Sequence, residues 1–120
     1  MMDANTTKTI KINHKTNVDG WTKEKVQRYV CSNDRALERA VLFVQSMQTR
    51  DEQLERVTKY WNARGWTMTD AKRGGRWAKY ISMGYGLREW EKATVRRVMK
   101  KYWRQLLSEI ATKKGYTVVK

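Results

Sequence analysis

Any chemistry in this chain has to come from its cations and its rings. Twenty-six Lys and Arg stand against 12 Asp and Glu, leaving +14 at pH 7 on 120 residues. The bias is uneven: Trp61 to Arg104 holds 12 basic residues, 3 acids and five of the six Trp. Lys and Arg neutralise phosphates and release condensed counterions, while Trp and Tyr offer flat faces on which an unpaired base can stack. A charge this one-sided repels itself within a folded chain, so a polyanionic partner is the economical explanation. Nucleic acid comes first, then an acidic protein surface or an anionic membrane.

Other chemistries lack their parts. Cys31 is the lone cysteine, so no intramolecular disulfide can form, and it reads as an inert small hydrophobe. His14 has no Cys, Asp or second His at ligand spacing and reads as a solvated loop residue. Asp51, Glu52 and Glu55 come nearest to a carboxylate cluster, but Thr49-Arg50-Asp51-Glu52 is a capping box, and acids belong in a helix's first turns. Arg73-Gly74-Gly75-Arg76 has glycines without the spacing of a phosphate-cradling loop. The expectation is a non-enzymatic protein with no catalytic residue, no metal and no cofactor. No apolar run approaches the roughly 18 residues of a bilayer span, and the Met-Met-Asp start lacks a signal peptide's apolar stretch. A cytoplasmic protein with no membrane partner follows.

Helices must position the cations and rings. Pro is absent and 40% of the residues are hydrophobic, which suits one core. The expected fold is mainly α: a compact bundle of four to five helices with a long C-terminal helix and a small two-stranded β ribbon joining the termini. Residues 1–20 read as a partly disordered segment, 21–114 as the helical domain and 115–120 as a C-terminal segment. Thr9 to Asn13 alternates with period two and Tyr116 to Val119 is rich in β-branched residues, so the two can pair if a helix lies beneath.

Asp19-Gly20 marks a turn, and Thr22 caps a first helix, Lys23 to Val30. Ser32 or Asn33 caps a second, Asp34 to Gln48, with Ala36, Leu37, Ala40, Val41, Val44 and Met47 on its core face and Leu42 outside it. A third opens at the Thr49 capping box, carries Leu54, Val57 and Trp61 inward and ends at Gly65, suited to a left-handed position. The fourth, Asp70 to Met83, follows Thr67 or Thr69 and shows Ala71, Gly74, Ala78 and Ile81 as a narrow face of small side chains. A break at Gly74-Gly75 is its alternative. Gly84-Tyr85-Gly86 then turns the chain into one long helix, Leu87 to Ala111, with Val95, Val98, Met99, Tyr102, Leu106 and Ile110 facing inward.

Those periods select the contact residues. Lys72, Arg76 and Lys79 fall together opposite the Ala71/Ala78 stripe, with Arg73 beside them. Arg97, Lys100, Lys101 and Arg104 share the far side of the last helix with Trp90, and Arg96 lies at its boundary. Trp66 and Tyr85 stand in turns where a ring can stack on a base; Trp61, Trp77 and Trp103 belong to the core or its edge. There is no zinc spacing, RNP-type strand or short helix-turn-helix. Binding through the phosphate backbone with little sequence readout is therefore expected.

One stretch also resembles a known module. Asn62-Ala63-Arg64-Gly65-Trp66, Asp70-Ala71, Ala78, Leu87 and Lys101-Tyr102-Trp103-Arg104-Gln105-Leu106 follow in the order of a small basic helical module. That module occurs in phage and mobile-element proteins and appended to helicase-like and other DNA-processing enzymes. The chain departs from it at Leu87-Arg88-Glu89-Trp90-Glu91, where the module's helix-capping Ser or Thr and following Lys-Gln are missing. The resemblance implies DNA- or RNA-associated work in a phage-like context, hence in a bacterial host's cytoplasm. Its alternative is a phage-encoded protein–protein factor that docks a host nucleic-acid machine, such as an inhibitor of a defence nuclease.

Overall fold

The computed structural model describes residues 8–48 and 65–119. The expected third helix, with its Thr49 capping box and Trp61, lies outside these residues, as do the first seven. Local chemistry starts the chain as its residue types require. Strand β1 (Thr9–Lys11) leads to Asp19 and Gly20, whose φ values of 52° and 94° form a two-residue turn. Two bonds of 2.8 and 2.9 Å between Val18 and Trp21 close it. The Thr22 hydroxyl accepts from the Lys25 N–H at 3.2 Å and opens α1 (Lys23–Ser32). Asn33 Oδ1 accepts from the Ala36 N–H at 3.0 Å and opens α2 (Asp34–Ser46).

After Gly65, at φ +78°, the chain enters α3 (Ala71–Ser82), which runs unbroken through Gly74-Gly75. The single long helix expected from Leu87 onward is instead two: α4 (Glu89–Lys100) and α5 (Trp103–Lys113). Between them the Lys101 and Tyr102 N–H groups bond back three residues, to Val98 and Met99 carbonyls, at 3.1 and 3.0 Å. That tightened turn separates the two helices. The apolar period survives it, because Val95, Val98, Met99, Tyr102 and Leu106 are all buried and Ile110 packs at the core's edge.

The hairpin of α1 and α2 forms one side of the body. α2 lies along α3, and α1 lies against both α4 and α5. Leu37, Val41 and Val44 meet Val95, Val98, Met99 and Leu107 in a single core, and Leu42 packs partly buried against it. β1 pairs in parallel with β2 (Thr117–Val119), with Ile10 opposite Val118. Parallel strands need a long crossover, and here the helical body is that crossover. α5 supports the ribbon, and Ile10, Tyr116 and Val118 pack against the core. Among the described residues of the N-terminal segment, Ile12 and Val18 are buried in the core. Among the described residues no helix is long and apolar enough to cross a membrane.

Candidate functional site

The expected contact residues divide according to how the chain uses its own acids. Asp70, at the head of α3, is fully buried and holds most of the nearby polar groups. Its carboxylate accepts from Tyr102 Oη at 2.6 Å, Lys101 Nζ at 2.9 Å, Arg73 Nη2 at 2.8 Å and Thr67 Oγ1 at 3.3 Å. Burial pushes the Asp70 carboxyl upward, but the Tyr102 hydroxyl, Lys101 and Arg73 together hold it below its ordinary value. Burial and the bond to Asp70 raise the Tyr102 phenol to about 12. The kink between α4 and α5 falls where Lys101 and Tyr102 reach the same carboxylate. Adjacent residues of a straight helix point about 100° apart, so convergence on one group favours a turn there.

Trp66 belongs to this node and not to any outer surface. Its exposure is 0%, which removes it as a stacking ring for a ligand. Its ring meets Tyr102 edge-on at 5.2 Å and Trp77 at 6.4 Å, and its Nε1–H donates to Gln45 Oε1 at 2.7 Å. The close approach depends on Gly74: a Cβ there would stand 2.3 Å from Trp66 Cε2. Gln105 clasps Gly65 from both sides, accepting from its N–H at 2.8 Å and donating to its carbonyl at 3.0 Å. Gly65, Trp66, Asp70, Tyr102 and Gln105, all part of the module-like pattern, therefore meet in one place. Their spacing serves packing and hydrogen bonding.

A second buried acid, Glu91 on α4, accepts from Arg76 Nη2 at 2.9 Å and from the Trp77 indole at 3.2 Å, tying α4 to α3. Asp34 at the start of α2 bridges Lys92 and Arg96 at 2.9 and 2.8 Å, and Lys92 also binds Glu89. These two cations hold the Asp34 carboxyl below its usual range. Arg73, Arg76, Arg96 and Lys101 are thus committed to the molecule's own acids. Lys72, Lys79, Arg97 and Lys100 are exposed and have no acid partner among the described residues. Arg104 donates to the Ile12 carbonyl at 3.3 Å and lies 5.0 Å over the Trp103 ring, so its charge remains uncompensated. The helix break places it on α5, apart from the α4 face that carries Trp90, Arg97 and Lys100.

Trp90 and Tyr85 are 75% and 74% exposed, and Met83 beside them is also exposed. Trp77 and Trp103 are buried. The residue types alone did not single out Asp70 and Glu91 as anchors, although Glu91 lies on the Val95–Val98–Tyr102 stripe at helical spacing, where an acid needs a buried partner. Lys11, Lys15, Lys25, Arg28, Arg35, Arg39 and Arg88 are among the further exposed cations outside the expected set. Among the described residues no group of His, Cys, Asp and Glu is placed to hold a metal ion. Compared with protein families, characterised proteins and solved structures, the chain has no significant match.

Proposed function

We propose that this chain is a non-enzymatic nucleic-acid-binding protein that grips the phosphate backbone through cations its own acids leave uncompensated. One observation carries the reading. The acids of the carboxy-terminal half are spent on Arg73, Arg76, Lys92, Lys101 and Lys113, while Lys72, Lys79, Arg97 and Lys100 face solvent unpaired. The outer faces of α3 and α4 therefore carry uncompensated positive charge, as do Lys11, Lys15, Lys25, Arg28, Arg35 and Arg39 in the amino-terminal half. Arg76 and Trp77 link these two helices through Glu91 and so keep the faces in fixed relation. Phosphate contacts of this kind position a ligand without reading its sequence.

The size of the effect follows from the count. With about four to five phosphates neutralised, affinity for duplex DNA falls roughly 150- to 500-fold between about 50 and 200 mM salt. The test is oligonucleotide binding across that range, for the natural chain and for one carrying Lys72→Glu, Lys79→Glu, Arg97→Glu and Lys100→Glu. The expected result is steep salt dependence and loss of binding in the variant at unchanged helicity. Lys101 is left intact, because reversing it would set a second carboxylate against buried Asp70. Retention of no oligonucleotide at low ionic strength would overturn the proposal. A salt-insensitive stoichiometric complex with a protein would replace it with the docking alternative.

A further inference from the structure

The turn between α3 and α4 is ordered, anchored and topped by rings that touch little. Gly84 and Gly86, at φ +87° and +71°, let the chain fold back so that the Tyr85 and Gly86 N–H groups both donate to the Tyr80 carbonyl, at 3.0 and 3.3 Å. Leu87 is buried, and its N–H donates to Glu38 Oε2 at 3.3 Å, fastening the turn to α2. On this frame Tyr85 and Trp90 stand about three-quarters exposed. A buried aromatic ring contributes much to a small core, so two left out, Tyr85 on the turn and Trp90 in the first turn of α4, are held there at the core's expense.

The charge around the rings narrows what could cover them. Lys79 precedes the turn, Arg88 lies 5.9 Å over the Tyr80 ring, and Arg97 shares the exposed α4 stripe with Trp90 two turns away. None has an acid partner among the described residues. Of the two acids that flank Trp90 in sequence, Glu89 is occupied by Lys92 and the buried Glu91 by Arg76. Rings alone would suit an apolar protein partner. Rings among uncompensated cations suit a ligand with flat faces along a polyanionic backbone. In a duplex those faces are covered by neighbouring base pairs, whereas an unpaired strand offers each one freely and with little dependence on sequence.

Building on the backbone-binding reading above, we infer that the Tyr85–Trp90 corner stacks unpaired bases of a single-stranded nucleic acid, with Lys79, Arg88 and Arg97 on the adjoining phosphates. The test measures binding of the full chain to three ligands of equal length at one ionic strength: a thymine single strand, the same strand with abasic sites through its centre, and a duplex. The natural chain should prefer the base-bearing strand over the abasic one by at least about fivefold, the lower end of what one stacked base contributes. Tyr85→Ala with Trp90→Ala should bind both strands with the abasic affinity at an unchanged melting temperature, and Trp90→Phe should keep part of the preference. Equal binding of base-bearing and abasic strands by the natural chain would overturn the inference and leave the backbone reading standing. Full preference in the double variant, or an equal loss on all three ligands, would also overturn it. No binding to any ligand would end both.

Discussion

At the scale of single residues, the most consequential group is an acid in a chain dominated by bases. Asp70 is buried with four donors around it, and its carboxyl is held below its ordinary value. A depressed acid stabilises the fold above the unfolded-state value, near pH 4, and loses that contribution as pH falls through the native value. Tyr102→Phe removes the 2.6 Å donor and leaves the Thr67 N–H without the phenol oxygen it reaches at 3.1 Å. The expected cost is about 1–3 kcal/mol in urea unfolding near neutral pH, with the acid unfolding midpoint moved upward. Tyr102 carries the opposite sign. Its phenol, raised to about 12, contributes stability below the unfolded value near pH 10 and loses it as pH rises through about 12. Gly74→Ala separates propensity from packing. Helix propensity alone predicts a gain of about 1 kcal/mol. The Trp66 ring at 2.3 Å from the new Cβ predicts a net loss of about 2 kcal/mol or more, measurable by denaturation.

At the scale of elements, two junctions decide where the candidate residues point. The α4–α5 turn divides what its apolar period presents as one helix, because that period is indifferent to a tightened turn that keeps Tyr102 inward. At that break Lys101 and Tyr102 both reach a partner distant in the chain, Asp70, and no local residue announces it. The α3–α4 turn was legible from Gly84 and Gly86, but its fastening to Glu38 on α2 was not. Glu38→Ala should speed hydrogen exchange at the Leu87 N–H and at the Tyr85 and Gly86 N–H groups that close the turn. Amides inside α2 should keep their protection. Uniform loss of protection through both helices would show that Glu38 supports the whole body instead of the corner.

At the scale of the whole molecule, the net charge of +14 works against compactness. The paired acids relieve it locally and leave the outer cations repelling one another. Neutral salt should therefore raise the melting temperature between about 10 and 150 mM, as the Debye length shortens from roughly 30 to 8 Å. Over the same range, nucleic-acid affinity should fall. Opposite responses to one variable are the signature of charge held outward for a partner. A melting temperature that falls with salt would mean that the ion pairs at Asp34, Asp70 and Glu91 outweigh the repulsion.

Much of the fold could be read from residue order alone. Thr22 and Asn33 cap α1 and α2 through their own side chains, Asp19-Gly20 makes its turn from two residues, and the core faces follow from helical periods. These are local or periodic properties that a linear chain carries in full, as does its excess of positive charge. Which cations remain available is a different kind of fact. Lys100 and Lys101 are neighbours of identical chemistry, yet one faces solvent unpaired and the other is bound to Asp70. Trp66 and Trp90 both looked placed to meet a ligand, and one is at the centre of the core. Availability depends on partners that packing brings close, as Asp70 is brought to Lys101 and Glu91 to Arg76, so only the tertiary structure could assign it.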